Sequence, residues 1–271
     1  MPTTPAGSAA AVYWPGAWSN QAPAQRKKVL MRLADLIEEH AYELAVLGVR
    51  DNGTEISMAL KAEPGSASGT FRYYGEAIDK ISGQVAPTAA TNIGLVLRQA
   101  IGVVGCIVPW NFPLMIGAWK IAPALAVGNS VVVKPSETAS LSLLRLAQLA
   151  LEAGLPDGVL NVVTGKGAIV GEAIGLHNDV DIIAFTGSGF VGRKLLTYAA
   201  SSNLKHVYLE LGGKSPNIVF ADAPDLEKAA SAAVNGIFRN AGQVCVAGSR
   251  LLVERPVHRE FVDMIRQRTE R

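Results

Sequence analysis

"GVVGCIVPWNFP", Gly102–Pro113, is the stretch on which the fold turns. From Gly102 to Val108 it is apolar at both alternations and rich in valine, as a strand covered on both faces must be. Pro109–Pro113 then makes a proline-stiffened loop that carries Trp110 and the amide of Asn111. Toward the C-terminus the same texture returns in "SVVVKP", "VLNVV", "DIIAFTG" and "KHVYLELGG". Helical segments separate these runs, among them "SLSLLRLAQLALEAG", which closes on Gly154 as a helix C-terminus does. Apolar strands alternating with helices predict an α/β protein built on a doubly wound parallel sheet. Ligands of such sheets bind beyond the C-terminal strand ends, so the loops after these strands are the first place to look for chemistry.

Working outward, Gln25–Val49 is helical in pattern, with Val29, Leu33, Leu36, Ile37, Leu44 and Leu47 at three- and four-residue spacing. The turn "DNG", Asp51–Gly53, follows; a weaker helical stretch then runs to Gly83, and "TNIGLVLRQA" reads as a strand. Beyond "LGGKSP" the rhythm changes. "PNIVF" is a strand, "DLEKAASAAVNGIF" a helix whose end delivers Cys245, "SRLLVE" a strand and "HREFVDMIRQRTER" a helix. The expected organisation is a doubly wound α/β domain over 1–212 and the start of a second α/β domain over 213–271.

Composition removes several function classes. The chain has 271 residues, 49% hydrophobic and 18% charged, so it carries ample core for one large or two ordinary domains. A net charge of +2 gives no electrostatic footprint for nucleic acid or an anionic membrane. "RKK" at Arg26–Lys28 reads as a solvated helix face. Two cysteines, Cys106 and Cys245, make neither a disulfide framework nor a zinc pattern, and a reducing compartment is the default. "MPTTPAGSAAAVYWPG" has no basic start and no unbroken apolar run, and no segment reaches about 20 apolar residues. The expectation is a soluble, cytoplasmic protein with no metal.

Four places can carry chemistry. "TGSGFVG", Thr186–Gly192, follows a strand and opens a helix, where glycines admit a phosphate and the helix N-terminus favours negative charge. It reads equally well as a glycine turn needed for packing. A strict dinucleotide fingerprint would then assign Glu210, about 20 positions on, to a ribose. Glu210 ends an apolar strand, so an alternative is a poorly hydrated carboxylate with its pKa raised toward the general-base range; a third is a solvated strand end. Lys134 and Glu137, in "VVVKPSE", are either ligand-binding groups or a surface ion pair of little worth. Cys106, inside a strand, reads as core; Cys245 is either a small buried hydrophobe or a nucleophile.

Taken in order, "IVPWNFP", "GNSVVVKPSE", "FTGS", "LELGGKSPNIVF" and "NAGQVCVAGSR" resemble the NAD(P)-dependent aldehyde dehydrogenase superfamily, over nearly the whole chain. The resemblance implies a Rossmann-like sheet of the aldehyde dehydrogenase type. It makes Cys245 the thiol that attacks the aldehyde carbon, and Asn111, with the Cys245 backbone N–H, the oxyanion support. It makes Glu210 the base that activates water for deacylation, not a ribose ligand, and Lys120 an electrostatic support. It places NAD against Val108, Pro109, Trp110, Lys134, Ser136, Glu137, Gly167, Gly171, Phe185, Thr186, Gly187, Ser188, Leu211 and Gly212. Lys134 and Glu137 hold the adenosine ribose, which favours NAD over NADP; Gly187 and Ser188 meet the pyrophosphate; Gly167 and Gly171 line the adenine side.

"SSNLKHVYLELGGKSPNIVFADAPDLEKAA" and "YGEAIDKISGQVAPT" are similar to the γ-glutamyl-γ-aminobutyraldehyde dehydrogenases of polyamine breakdown, which implies an amino-aldehyde or small aliphatic aldehyde as substrate. Betaine-aldehyde-type enzymes are a neighbouring group. The resemblance makes 1–212 the NAD-binding domain, with part of an oligomerisation hairpin near 83–100, and 213–271 an incomplete catalytic domain. Family members continue well beyond Arg271 and form homo-oligomers through a strand that pairs with the "NIGLVLRQA" region, so the chain is expected to be truncated at both ends. Two other classes stand beside the dehydrogenase: an inactive NAD-binding fragment, and a cysteine hydrolase whose base would be His40, His177, His206 or His258.

Overall fold

The computed structural model describes residues 16–270. The chain divides into two compact units, the first ending at Glu210 and the second beginning at Leu211.

Among the described residues the first unit begins with three helices, α1 (Pro23–Glu39), α2 (Ala41–Asn52) and α3 (Ile56–Ala77). The single helix expected over Gln25–Val49 is therefore two. The break falls at His40, whose φ of −102° and ψ of 18° leave the helical region. Its Nδ1 lies 2.8 Å from Glu43 Oε2, and the Arg145 guanidinium, 3.0 Å from Glu43 Oε1, packs on the same corner. The apolar stripe continues through the break because both helices face the same core, which is why periodicity alone joins them. A short antiparallel pair follows, β1 (Gln84–Ala86) with β2 (Gly94–Val96). The expected strand over "TNIGLVLRQA" shrinks to three residues, and its partner among the described residues is the segment just before it.

Among the described residues the central sheet has five strands in the order β5-β4-β3-β6-β7: β3 (Val103–Ile107), β4 (Ser130–Lys134), β5 (Leu160–Val162), β6 (Ile182–Gly187) and β7 (His206–Leu211). β3 runs parallel to both β4 and β6, and β4 parallel to β5. Every residue of β3 and β4 is buried, as their unbroken valine runs require. Helices α4 (Pro113–Ala126), α5 (Leu141–Glu152), α6 (Glu172–Leu176) and α7 (Gly189–Ala200) connect them. Leu114, Ile121 and Leu125 of α4 and Leu143 and Leu146 of α5 are buried in the core, as are Leu30, Leu33 and Ile37 of α1. Gly154 ends the α5 region at φ +93°, a left-handed turn that a side chain would strain. Arg26, placed by its sequence on a solvated face, is instead buried: Nε donates to Ala126 O at 3.0 Å and satisfies the C-terminal end of α4.

In the second unit β8 (Pro216–Val219) runs parallel to β9 (Arg250–Val253), in register from Pro216–Arg250 to Val219–Val253. Helices α8 (Leu226–Phe238) and α9 (His258–Thr269) pack on them around Val219, Ala230, Ala233 and Phe261. Asp225 caps α8 by accepting the Lys228 N–H at 2.8 Å.

Candidate active site

The C-terminal ends of β3, β4 and β6 open on one cleft of about 490 Å³. Val108, Pro109 and Trp110 come from the loop after β3; Lys134, Ser136 and Glu137 come from the end of β4. Phe185, Thr186 and Gly187 close β6, Ser188 starts the next helix, and Gly167 and Gly171 bound a single π-type turn on the remaining side. All residues expected to meet a dinucleotide thus line this cleft, with two exceptions. Leu211 and Gly212 do not line it; they lie in the second unit. The strand ends are locked together where Val108 N–H donates to Lys134 O at 3.0 Å.

The polar groups are held in place. Lys134 is 4% exposed, and its Nζ donates to Pro135 O at 2.7 Å. Burial lowers its pKa, opposed by the charge of Glu137. Glu137 Oε1 accepts the Gly167 N–H at 2.5 Å, which ties the β4 loop to the π-type turn. Lys134 is buried while Glu137 stays exposed, so the two do not form the surface ion pair that the sequence also allowed. Ser188 caps α7, its Oγ accepting the Val191 N–H at 3.3 Å, so the positive end of that helix borders the cleft. A Cβ built on Gly187 would stand 2.5 Å from the Phe185 ring, so the β6 end has room for a glycine only. A backbone edge bare of side chains, a helix N-terminus and a buried ammonium suit a nucleotide with a diphosphate bridge.

Lys120, on α4, reaches the same strand end, its Nζ donating to Thr186 Oγ1 at 2.7 Å. Burial lowers its pKa, while Cys106 and Glu210 oppose that shift. Cys106 is fully buried in β3 and its thiol is pushed up to about 12 by desolvation, so it is core and unreactive. Asn111 sits half-buried between Trp110 and the first turn of α4.

Of the readings open for Glu210, the exposed strand end is the one that matches its place: it lies on the exposed alternation of β7, the edge strand of the five. Cys245 is half-buried in a turn of the second unit. It is not delivered by a helix end: α8 stops at Phe238, and a short 3₁₀ turn, Arg239–Gly242, intervenes. Within that turn Asn240 and Ala241 hold φ of +51° and +53°. Two successive left-handed non-glycine residues cost backbone energy, and such strain persists where the surroundings fix it, as they do at functional sites.

The sequence reading missed the outer wall of the cleft. Phe190, Lys194 and Tyr198 line it from α7, spaced by four so that they share one helix face. Lys194 Nζ lies 4.9 Å from the Phe190 ring centroid, and Tyr198 donates to Glu172 Oε2 at 2.9 Å. Their spacing behind the glycine turn was the available signal.

Glu63, on α3, is also new. It is 6% exposed and accepts the Met115 N–H at 2.7 Å, in the first turn of α4. Desolvation raises its pKa to about 7, against the opposing backbone N–H groups of Met115 and Leu114. A carboxyl with a raised folded pKa stabilises the fold below its unfolded pKa, and that contribution is lost as pH rises through about 7. The urea midpoint should therefore fall between pH 5 and pH 8, and fall less in Glu63→Gln; equal pH slopes in the two proteins would refute this.

Among the described residues, no group of three or more His, Cys, Asp or Glu side chains could hold a metal ion, and no helix is long and apolar enough to cross a membrane.

A parallel sheet whose strand ends, glycine turn and buried lysine converge on one cleft defines a nucleotide-binding α/β protein. More narrowly, the chain belongs to the aldehyde dehydrogenase family, whose model matches residues 5–271. It is 54% identical over 263 residues to the NADP/NAD-dependent aldehyde dehydrogenase PuuC of Escherichia coli (strain K12), covering 97% of this chain and 53% of that one. It superposes on the γ-glutamyl-γ-aminobutyraldehyde dehydrogenase of Burkholderia cenocepacia J2315 with a TM-score of 0.95 and 49% identity, over 97% of this chain and 53% of the other. An indole-3-acetaldehyde dehydrogenase crystallised with NAD+ gives a TM-score of 0.94 and 52% identity, over 96% and 53%. The chain spans about half the length of the curated relatives it matches.

Proposed function

We propose that this chain serves NAD+-dependent oxidation of an aldehyde to its carboxylic acid, the aldehyde being an amino-aldehyde or a small aliphatic one. The observation that carries the reading is the convergence of the β3, β4 and β6 loops, the α7 N-terminus and Lys134 on one cleft. On this reading residues 1–212 bind the cofactor and 213–271 begin the catalytic domain. Lys134 and Glu137 hold the adenosine ribose, Gly187 and Ser188 the pyrophosphate, and Leu211 and Gly212 complete the cofactor contacts. The likeness to the Burkholderia γ-glutamyl-γ-aminobutyraldehyde dehydrogenase and to the aminoacetaldehyde dehydrogenase of Pseudomonas aeruginosa supports the amino-aldehyde class, and we place the chain in polyamine breakdown.

Chemically, the Cys245 thiolate adds to the carbonyl carbon and forms a thiohemiacetal. Asn111 and the Cys245 N–H stabilise the oxygen as its charge develops, and Lys120 supports the local field. NAD+, when bound, supplies the hydride acceptor through which the thiohemiacetal becomes a thioester. Glu210 takes a proton from water, the hydroxide attacks the thioester carbon, and the acid leaves with the thiol restored. The exposure of Glu210 suits a base that draws on bulk water. We assign the protein to the cytoplasm and to homo-oligomers that use the β1–β2 hairpin.

The test is a titration of NAD+ and NADP+ against the quenching of tryptophan fluorescence, followed by NADH formation from a short amino-aldehyde. NAD+ should bind more tightly, because Glu137 accepts ribose hydroxyls and repels a 2′-phosphate. Equal affinity for NADP+ would remove the role given to Glu137, and failure of both nucleotides to bind would remove the function.

A further inference from the structure

Two side chains from the N-terminal helices grip the loop after β3 from its two ends. Asn52, the last residue of α2, donates from Nδ2 to Trp110 O at 2.9 Å. Its amide orientation is fixed, because Asn52 Oδ1 accepts the Thr54 N–H at 2.9 Å. On the other side Glu63 accepts the Met115 N–H at 2.7 Å from a buried position on α3. Between these anchor points lie Asn111, Phe112, Pro113 and Leu114. The same turn reaches the next loop as well: Asp51 Oδ2 accepts the Leu141 N–H at 2.6 Å and so fixes the start of α5, downstream of Lys134 and Glu137. Nothing in the hydrophobic pattern demands these contacts. A solvated asparagine or a surface glutamate would leave α2 and α3 intact, whereas burying Glu63 carries a desolvation cost.

We infer that Asn52 and Glu63 are positioning residues, clamping the loop that carries Trp110 and Asn111 so that it keeps its place in the wall of the cleft. The inference rests on the cleft being the nucleotide site. Asn52 acts as a donor and Glu63 as an acceptor, which makes the roles separable by near-isosteric replacement. Asn52→Asp keeps the acceptor for Thr54 but turns a second oxygen on Trp110 O. Glu63→Ala removes the acceptor for Met115, and Glu63→Gln keeps it.

The full chain is compared with these three variants by hydrogen exchange of residues 109–116, by NAD+ affinity and by melting temperature. Glu63→Ala should speed exchange in that segment and weaken NAD+ about tenfold, the size expected when a buried partner is lost, and Asn52→Asp, whose bond to Trp110 is exposed and neutral, should do both about threefold. Glu63→Gln should restore both to near the parent values. A merely structural role would lower the melting temperature of Glu63→Ala and leave the affinity of the folded protein unmoved. Unchanged exchange in Asn52→Asp, or unchanged affinity in both disruptive variants, overturns the clamp. If the parent chain fails to bind NAD+, the nucleotide reading falls, and the exchange data alone decide whether the clamp exists.

Discussion

Cys245→Ala should abolish aldehyde-dependent NADH formation, by at least about a thousandfold, because no other group can form the covalent intermediate. The one competing thiol is Cys106, fully buried in β3 with its pKa near 12, which a nucleophile's work at neutral pH excludes. Affinity for NAD+ should stay within about twofold in the variant, since the cleft residues belong to the first unit and Cys245 to the second. Alkylation gives a check that does not depend on turnover: iodoacetamide should label Cys245 and spare Cys106 in the folded chain, read by mass spectrometry of the peptides. Glu210→Gln should differ in kind, giving one burst of NADH and then a persistent acyl-enzyme mass on Cys245. Full turnover by the Cys245→Ala protein would end the mechanism proposed above. NAD+ binding without NADH from the parent chain would keep the cofactor site and remove the catalytic assignment for this chain.

How far the sequence foretold this depends on what each residue's neighbours are. β3 and β4 were legible because a strand buried on both faces has no polar alternation to disguise it, and "GVVGCIV" and "SVVVKP" have none. The break at His40 was not, since an apolar stripe runs through a helix break when both helices face one core. Individual cleft positions such as Ser136 and Gly171 were named by family resemblance, and composition alone would have left Lys134 and Glu137 as a surface pair. Glu210 shows the limit of local reading: "HVYLEL" looks the same whether its edge face is covered or wet, and here Glu210 is wet. Glu63 and Asn52 were invisible for a related reason. A glutamate before Pro64 and an asparagine in a "DNG" turn are common on surfaces, and only the arrival of Trp110 and Met115 from some fifty residues away gives them partners.

Gly187→Ala should weaken NAD+ by at least about a hundredfold, whereas Gly189→Ala, two residues on in the same glycine motif, should change it less than about threefold. The two glycines differ in what a methyl group would meet. At Gly187 the new Cβ would fall 2.5 Å from one Phe185 ring carbon, with two others at 3.0 and 3.3 Å. Phe185 is 4% exposed and forms part of the cleft wall, so the ring has to move into the cleft or the β6 end has to shift. Either displaces the backbone edge that a pyrophosphate must approach, and overpacking of this kind costs about 1–3 kcal/mol of stability as well. At Gly189 the nearest atom is Arg193 NH1 at 3.4 Å, the far end of a flexible side chain that can swing away. Alanine there also favours the first turn of α7 by helix propensity. Measuring affinity and melting temperature for both variants separates the two effects: Gly187→Ala should lose both, Gly189→Ala neither. If Gly187→Ala melts lower yet binds NAD+ as the parent does, the glycine serves packing alone, and the pyrophosphate contact assigned to this strand end must be placed elsewhere.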